Sequence, residues 1–155
     1  MSSETIVTAL FLISAVIAAG VLINAIFPTI TRTADTFGSA SSEADTRIRT
    51  DFKIVNTYAD ASTAKIWCKN IGSARLHANE VDMADIYIGS PSNFDRFSLA
   101  GKYADLTNSY WDPGETLSIT LTGISSLLPD NAGEDVYVAI VLPNGVRRDL
   151  EFTRS

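Results

Sequence analysis

Between Ile6 and Ile30 the chain carries no charged side chain, and no other feature limits its folds so strictly. A secretory signal needs a basic opening, an apolar core of about 7–15 residues and a small-residue cleavage site. Here the opening is "MSSE" and the apolar core is longer. A spanning helix needs roughly 20 apolar residues to cross ~30 Å of hydrocarbon, and residues 6–30 supply them. Ser14, Ala15, Ala18, Ala19, Gly20 and Ala25 are small, with Ser14/Ala18 and Ala15/Ala19 four apart. Small residues at that spacing let helices approach closely, in lipid or in a dry helical core.

The pattern continues past the point where a membrane would end. Ile23, Phe27, Ile30, Ala34, Phe37, Ser41, Ala44 and Ile48 follow at steps of four or three, a heptad-like stripe. Arg32, Asp35, Glu43, Asp45, Arg47 and Arg49 form its polar face. The reading is one helix from about residue 3 to about residue 50, roughly 70 Å long. Pro28 is expected to kink it, since it removes a backbone bond and crowds the preceding turn. Gly38 and the polar "GSASSE" leave open a flexible linker over residues 38–45. A stripe so rich in Ala and Ser is weak glue for two helices but suits many packed side by side. The expected assembly positions are Ala15, Ala18, Ala19, Gly20, Ile23, Phe27, Ile30, Ala34, Phe37 and Ile48.

From Phe52 the period becomes alternating. "FKIVNTY", "TAKIWCKNIG", "ADIYIG", "DRFSL", "ETLSITLTG", "DVYVAIVL" and "VRRDLEF" each alternate or run apolar over a strand's length. "NIGS", "GSPSN", "DPGE", "PDNAGED" and "LPNGVR" supply the turns, and "PNG" between two apolar runs marks a hairpin. Seven short strands at this spacing describe an antiparallel, immunoglobulin-like β-sandwich. The fold class is therefore α+β: a hydrophobic helix over residues 1–50, then a β-sandwich head over 51–155.

All 12 Lys and Arg, but 17 of the 18 Asp and Glu, lie after Thr31. That acidic balance argues against nucleic acid or an anionic membrane surface as the head's partner. Arg32, Arg47 and Arg49 would place the following side in the cytoplasm, but long domains translocate largely regardless of charge, so the head is expected outside. A single cysteine, Cys68, excludes an internal disulfide and a cysteine-based zinc site, and its apolar run marks it as buried. The one histidine, His77, falls in "ARLHANE" and reads as a solvated loop residue, so no Ser-His-Asp or Cys-His set can be assembled. No phosphate loop or dinucleotide fingerprint is present. Glu80, Asp82 and Asp85, and separately Asp130, Asn131, Glu134 and Asp135, could offer oxygens to calcium. Neither group has EF-hand spacing, and both read as solvated loops. Trp67, Trp111 and Tyr110 read as core and corner aromatics rather than a sugar platform. No cofactor, metal site or catalytic residue is expected. No asparagine lies in an N-x-[ST] triplet.

With "DFKIVN", "KIWCKNIGSARLHANEVDMADIYIG", "WDPGETLSITL" and "YVAIVLPNGVRRDLEF" following the charge-free helix in that order, the chain resembles the archaellum accessory proteins of the FlaG group. "KNIG" and "PGE" are also similar to features of archaellins and other pilin-like subunits. The resemblance implies a type IV pilin-like architecture, anchoring in the cytoplasmic membrane with the head outside, and a stator role in the motor. It further implies self-polymerisation through the helix, with an F-type companion subunit and the surface layer as partners, and carries no catalytic residue. Archaellins usually begin with a short basic leader, and none precedes Ser2. Either this subunit keeps its N-terminus or a leader has been removed, which keeps a main archaellin or adhesive pilin open. A membrane-tethered binding module for surface layer, glycan or calcium is the reading of another class. Glu4 occupies the place where pilins put a carboxylate that pairs with a neighbour's amino group. It is equally a carboxylate favoured by a helix N-terminus.

Overall fold

An uninterrupted apolar segment and a run of alternating ones cannot share one periodicity, and the chain separates accordingly. The computed structural model describes residues 2–104 and 106–155, and two compact units are found, Met1–Glu43 and Ala44–Ser155. The helix α1 runs over Ser2–Arg49. Pro28 lies inside it and Gly38 does not interrupt it, so the linker expected as an alternative over residues 38–45 is helical. Hydroxyls on this helix fold back onto its own carbonyls: Thr8 Oγ1 donates to Glu4 O, Thr33 to Thr29 O and Thr36 to Arg32 O, each at 2.8 Å. Such back-bonding satisfies polar groups where apolar surroundings offer no partner. Beside Pro28, Thr31 Oγ1 donates to Pro28 O at 3.0 Å.

The second unit holds β1 (Phe52–Ala59), β2 (Thr63–Asn70), β3 (Leu76–His77), α2 (Ala78–Asp82), β4 (Asp85–Ser90) and β5 (Asn93–Ser98). It continues with β6 (Tyr103–Ala104), β7 (Tyr110–Trp111), β8 (Thr116–Thr122), β9 (Asp135–Val141) and β10 (Arg147–Thr153). Two four-stranded sheets, ordered β1-β2-β8-β6 and β10-β9-β4-β5, enclose the core, and β3-β7 forms a small ribbon. Every pairing is antiparallel. Successive strand residues face opposite ways. Ala64, Ile66 and Cys68 of β2 and Leu117, Ile119 and Leu121 of β8 therefore meet Ile86 and Ile88 of β4 and Val136, Val138 and Ile140 of β9 in one buried cluster. Each large aliphatic side chain buried there contributes about 1.5–3 kcal/mol. A one-residue slip would turn the whole set to water, which fixes the register. The β9–β10 hairpin closes at "PNG", where Gly145 takes φ 80° and donates to Leu142 O.

Four expectations change. Three two-residue strands join the seven segments, and no alternation is visible in two residues. His77 is not a solvated loop residue: it ends β3 and caps α2, its Nδ1 accepting the Asn79 N–H at 3.1 Å while Glu80 Oε2 accepts the His77 N–H at 2.8 Å. The "NEVD" stretch is therefore a helical turn, with buried Val81 holding it to the core. Trp67 is half-buried, because it faces away from the core between inward Ile66 and Cys68, whereas Trp111 is buried. Burial pushes the Cys68 thiol up to about 12, leaving it an inert core side chain.

Candidate functional site

Two places carry the features that the sequence singled out. The first is where α1 ends. The last carbonyls of a helix have no intrahelical donor and need one from elsewhere. Arg49 O, the last of α1, accepts the backbone N–H groups of Ser73 and Ala74 at 2.9 and 3.0 Å, and Asp51 O accepts those of Ile71 and Gly72. The loop of "KNIGSA" is thus the cap of the helix. Gly72 is required by closeness: a Cβ there would lie 2.5 Å from both Arg49 O and Asp51 N.

Asn70 holds that loop. Its side chain, 1% exposed, donates to Ala74 O at 3.0 Å and Trp111 O at 2.9 Å, while Oδ1 accepts the Gly72 N–H at 3.0 Å. The Asn70 backbone pairs with the other motif, donating to Glu115 O and accepting from Gly114 N–H at 2.7 Å. "DPGE" is a tight turn whose third residue, Gly114, takes φ 86°, the conformation a type II turn requires there. Glu115 Oε2 accepts the Asp112 N–H at 2.9 Å, and Trp111 Nε1 donates to Glu115 O at 3.0 Å. The Trp111 ring lies 5.9 Å from that of Phe52, the first residue of β1. "KNIG" and "WDPGE", far apart in sequence, are one latch between helix end and sandwich.

The rim of the latch is ionic. Arg75 Nε donates to Asp112 Oδ1 at 2.6 Å and its guanidinium lies 4.4 Å from the Tyr110 ring centroid. Hydrogen bonds from Asn108 and then Arg75 hold the Asp112 carboxyl below its ordinary value. A depressed folded pKa contributes stability above the unfolded value, lost as pH falls through the folded one. Below about pH 4 the sandwich should therefore melt earlier, and Asp112→Asn should flatten that limb slightly, the group being exposed. Melting curves from pH 2 to 6 check this; an unchanged acid limb in the variant would contradict it.

The second place is α1 itself. Glu4 lies in its first turn, exposed, and none of its residues is buried. Ile23, Phe27, Ile30 and Phe37 are 63%, 64%, 59% and 72% exposed, and Ile48, in the last turn, 82%. At about 100° per residue, Ala19, Gly20, Ile23, Phe27, Ile30, Ala34 and Phe37 share a sector of roughly 100°, with Ala15 beside it. Ala18 falls on the opposite side. A Cβ added at Gly20 would meet nothing within 4 Å. The helix is long and apolar enough to cross a membrane. Over residues 6–30 no face carries a charge, unlike the one-sided stripe of a helix lying on a soluble core.

Asn70 and Gly72 lie in "KNIG" with no role legible in the sequence, whereas Trp111 reads there as a core or corner aromatic. An asparagine two residues before a glycine is a turn signal, but its partner at Trp111 O is set by tertiary structure.

A family model described as archaeal-type flagellin matches residues 2–152. A protein of Archaeoglobus fulgidus described as uncharacterized is 29% identical, over 99% of each chain. Among solved structures, the archaellum periplasmic stator protein FlaG from Sulfolobus acidocaldarius matches at 18% identity and TM-score 0.53, over 66% of this chain and 99% of that one. It is also solved in a complex of FlaF and FlaG. The archaeal flagellum of Methanospirillum hungatei matches at 16% identity and TM-score 0.57, over 92% of this chain and 91% of that one. At such identities the structural likeness speaks to the fold.

Proposed function

The chain belongs to the archaeal-type flagellin family, and from that premise we propose that it is a non-enzymatic structural subunit of the archaellum, polymerising through α1. The observation that carries this is the unpartnered apolar surface of α1. Residues 6–30 meet the roughly 20 needed to span a bilayer, yet Phe37, seven residues further along, is still 72% exposed. With residues 6–30 in the bilayer, Phe37 would lie about 10 Å beyond it, where the helix of a second copy would cover it. Ala15, Ala19 and Gly20 allow close approach, and Ile23, Phe27, Ile30, Ala34 and Phe37 supply the packing. Ile48 lies in the last turn, and Ala18 would meet a second neighbour. Glu4, in the first turn of α1, would pair with the amino group of an adjoining copy.

Within that class we assign a stator role: anchored in the cytoplasmic membrane, head outside, with an F-type companion subunit and the surface layer as partners. The support is the order of motifs and the fold shared with FlaG, itself solved in a complex with FlaF. A main filament subunit is the second reading, favoured by the extension of the likeness to the Methanospirillum flagellum over 92% of the chain.

Gly20→Leu tests the packing. It should insert into vesicles as the wild type does, because leucine is at home in lipid. It should fail to sediment as a polymer after detergent removal, because the added side chain forces helices apart. Equal sedimentation of both proteins would contradict the assignment.

A further inference from the structure

The outer face of the β10-β9-β4-β5 sheet breaks a rule. When one face of an antiparallel sheet packs on the core, the other normally carries polar side chains. Here the register sets Tyr87 opposite Ala139, and in the next row Gly89 opposite both Tyr137 and Phe94. Ala139 points outward between inward Val138 and Ile140, yet it is 2% exposed. Gly89 brings no side chain, and a Cβ there would lie 2.5 Å from the Phe94 Cα. Gly89 lets the Phe94 backbone come close, Ala139 leaves the floor low, and three aromatic rings stand around it, forming a cavity of about 460 Å³ that Arg147 and Glu151 also line. Phe94 is 54% exposed, and its ring centroid lies 6.3 Å from that of Tyr137 at an interplanar angle of 57°. Arg147 Nη2 donates to Tyr137 Oη at 2.5 Å, which sets the guanidinium beside the rings.

We propose that this depression binds a neutral pyranose sugar. A pyranose ring has an apolar C–H face and an edge of adjacent hydroxyls. The aromatic faces of Phe94, Tyr137 and Tyr87 match the first. The planar donor fork of Arg147 and the two-oxygen carboxylate of Glu151 match the second, one donating and the other accepting. Glu151 lines the depression beside Arg147, and Asp149 Oδ1 lies 3.6 Å from Arg147 Nε, so no excess positive charge is left at the rim, which disfavours uronates and phosphates. The volume falls in the range of small-ligand pockets, about 300–1,000 Å³. A second copy of the protein is the weaker fit, since seven residues line the depression and a stable interface takes about 20–30 a side. The inference does not depend on assembly through α1.

The test is saturation-transfer NMR on the full chain in a sugar-free amine-oxide detergent. The probes are methyl glucopyranoside, methyl mannopyranoside, N-acetylglucosamine and cellobiose. At least one should receive saturation, with affinity about tenfold weaker in Phe94→Ala or Tyr137→Ala, the loss of one stacking contact. Glu151→Gln, an exposed change on an outer strand that keeps the shape, should weaken binding without altering the melting temperature. Tyr58→Ala, an exposed tyrosine on β1 in the other sheet, should change nothing. No transfer to any probe would overturn the proposal, as would transfer indifferent to all three variants of the depression. Patch variants that change sedimentation of the full chain without changing sugar binding would overturn it in favour of a contact between copies.

Discussion

Asn70→Ala is expected to lower the melting temperature of the sandwich by more than about 10 °C. The side chain is buried, and its loss takes the Asn70 donor from Ala74 O and Trp111 O and one of the two acceptors from the Gly72 N–H, which keeps Asp51 O. Each abandoned buried group costs about 1–3 kcal/mol. Water can reach the partly exposed ones, so the sum settles at about 3–6 kcal/mol, a large share of the 5–15 kcal/mol that holds a domain together. Asn70→Asp keeps the size and one acceptor but removes both donors, and should recover little. Near-UV circular dichroism of the full chain in detergent, recorded through the melt, measures this. A variant melting within 3 °C of the wild type would mean that the latch contributes nothing.

Gly72→Val should also be strongly damaging, by a different route. Its first added atom would lie 2.5 Å from Arg49 O and Asp51 N, both backbone, which no side-chain rotation relieves. The loop must withdraw, and the donors from Ser73 and Ala74 leave the end of α1 uncapped. The expected result is a loss of about 2–4 kcal/mol, in the range of overpacking with lost hydrogen bonds, and faster backbone amide exchange at Ser73 and Ala74. Gly133→Val is the control, since φ 88° strains it while its added Cβ meets no neighbour. Gly72→Val should be the worse of the two by protection at Ser73, and equal exchange there would show that the loop does not cap the helix.

How far the sequence can be read differs by element, for physical reasons. A run of residues 6–30 with no charge satisfies its backbone away from water as a helix, so that part of α1 was legible, while Gly38 and "GSASSE" left the stretch over residues 38–45 open between helix and linker. Alternation or an apolar run located β1, β2, β4, β5, β8, β9 and β10, and "PNG" located the β9–β10 hairpin. Periodicity needs several residues to exist, so β3, β6 and β7 could not be found that way. The five residues of α2 are too few to distinguish a helical turn from an acidic loop. His77 was misplaced because its role comes from one lone pair accepting from Asn79. Trp67 was misjudged because "KIWCK" places apolar residues on both faces of β2, and only the pairing with β8 decides which face is inside. The latch was visible as motifs but not as a contact, since Asn70 and Trp111 meet across 41 positions of chain. The aromatic depression was missed because Tyr87, Phe94 and Tyr137 come from three strands.

The central claim is that α1 makes this chain a polymer subunit. Negative-stain electron microscopy of the full-length protein after detergent removal, beside residues 44–155 prepared alone, tests it most directly. The account predicts filaments from the full chain and dispersed particles from the second unit. Dispersed particles from both would contradict it and leave α1 as a solitary membrane anchor.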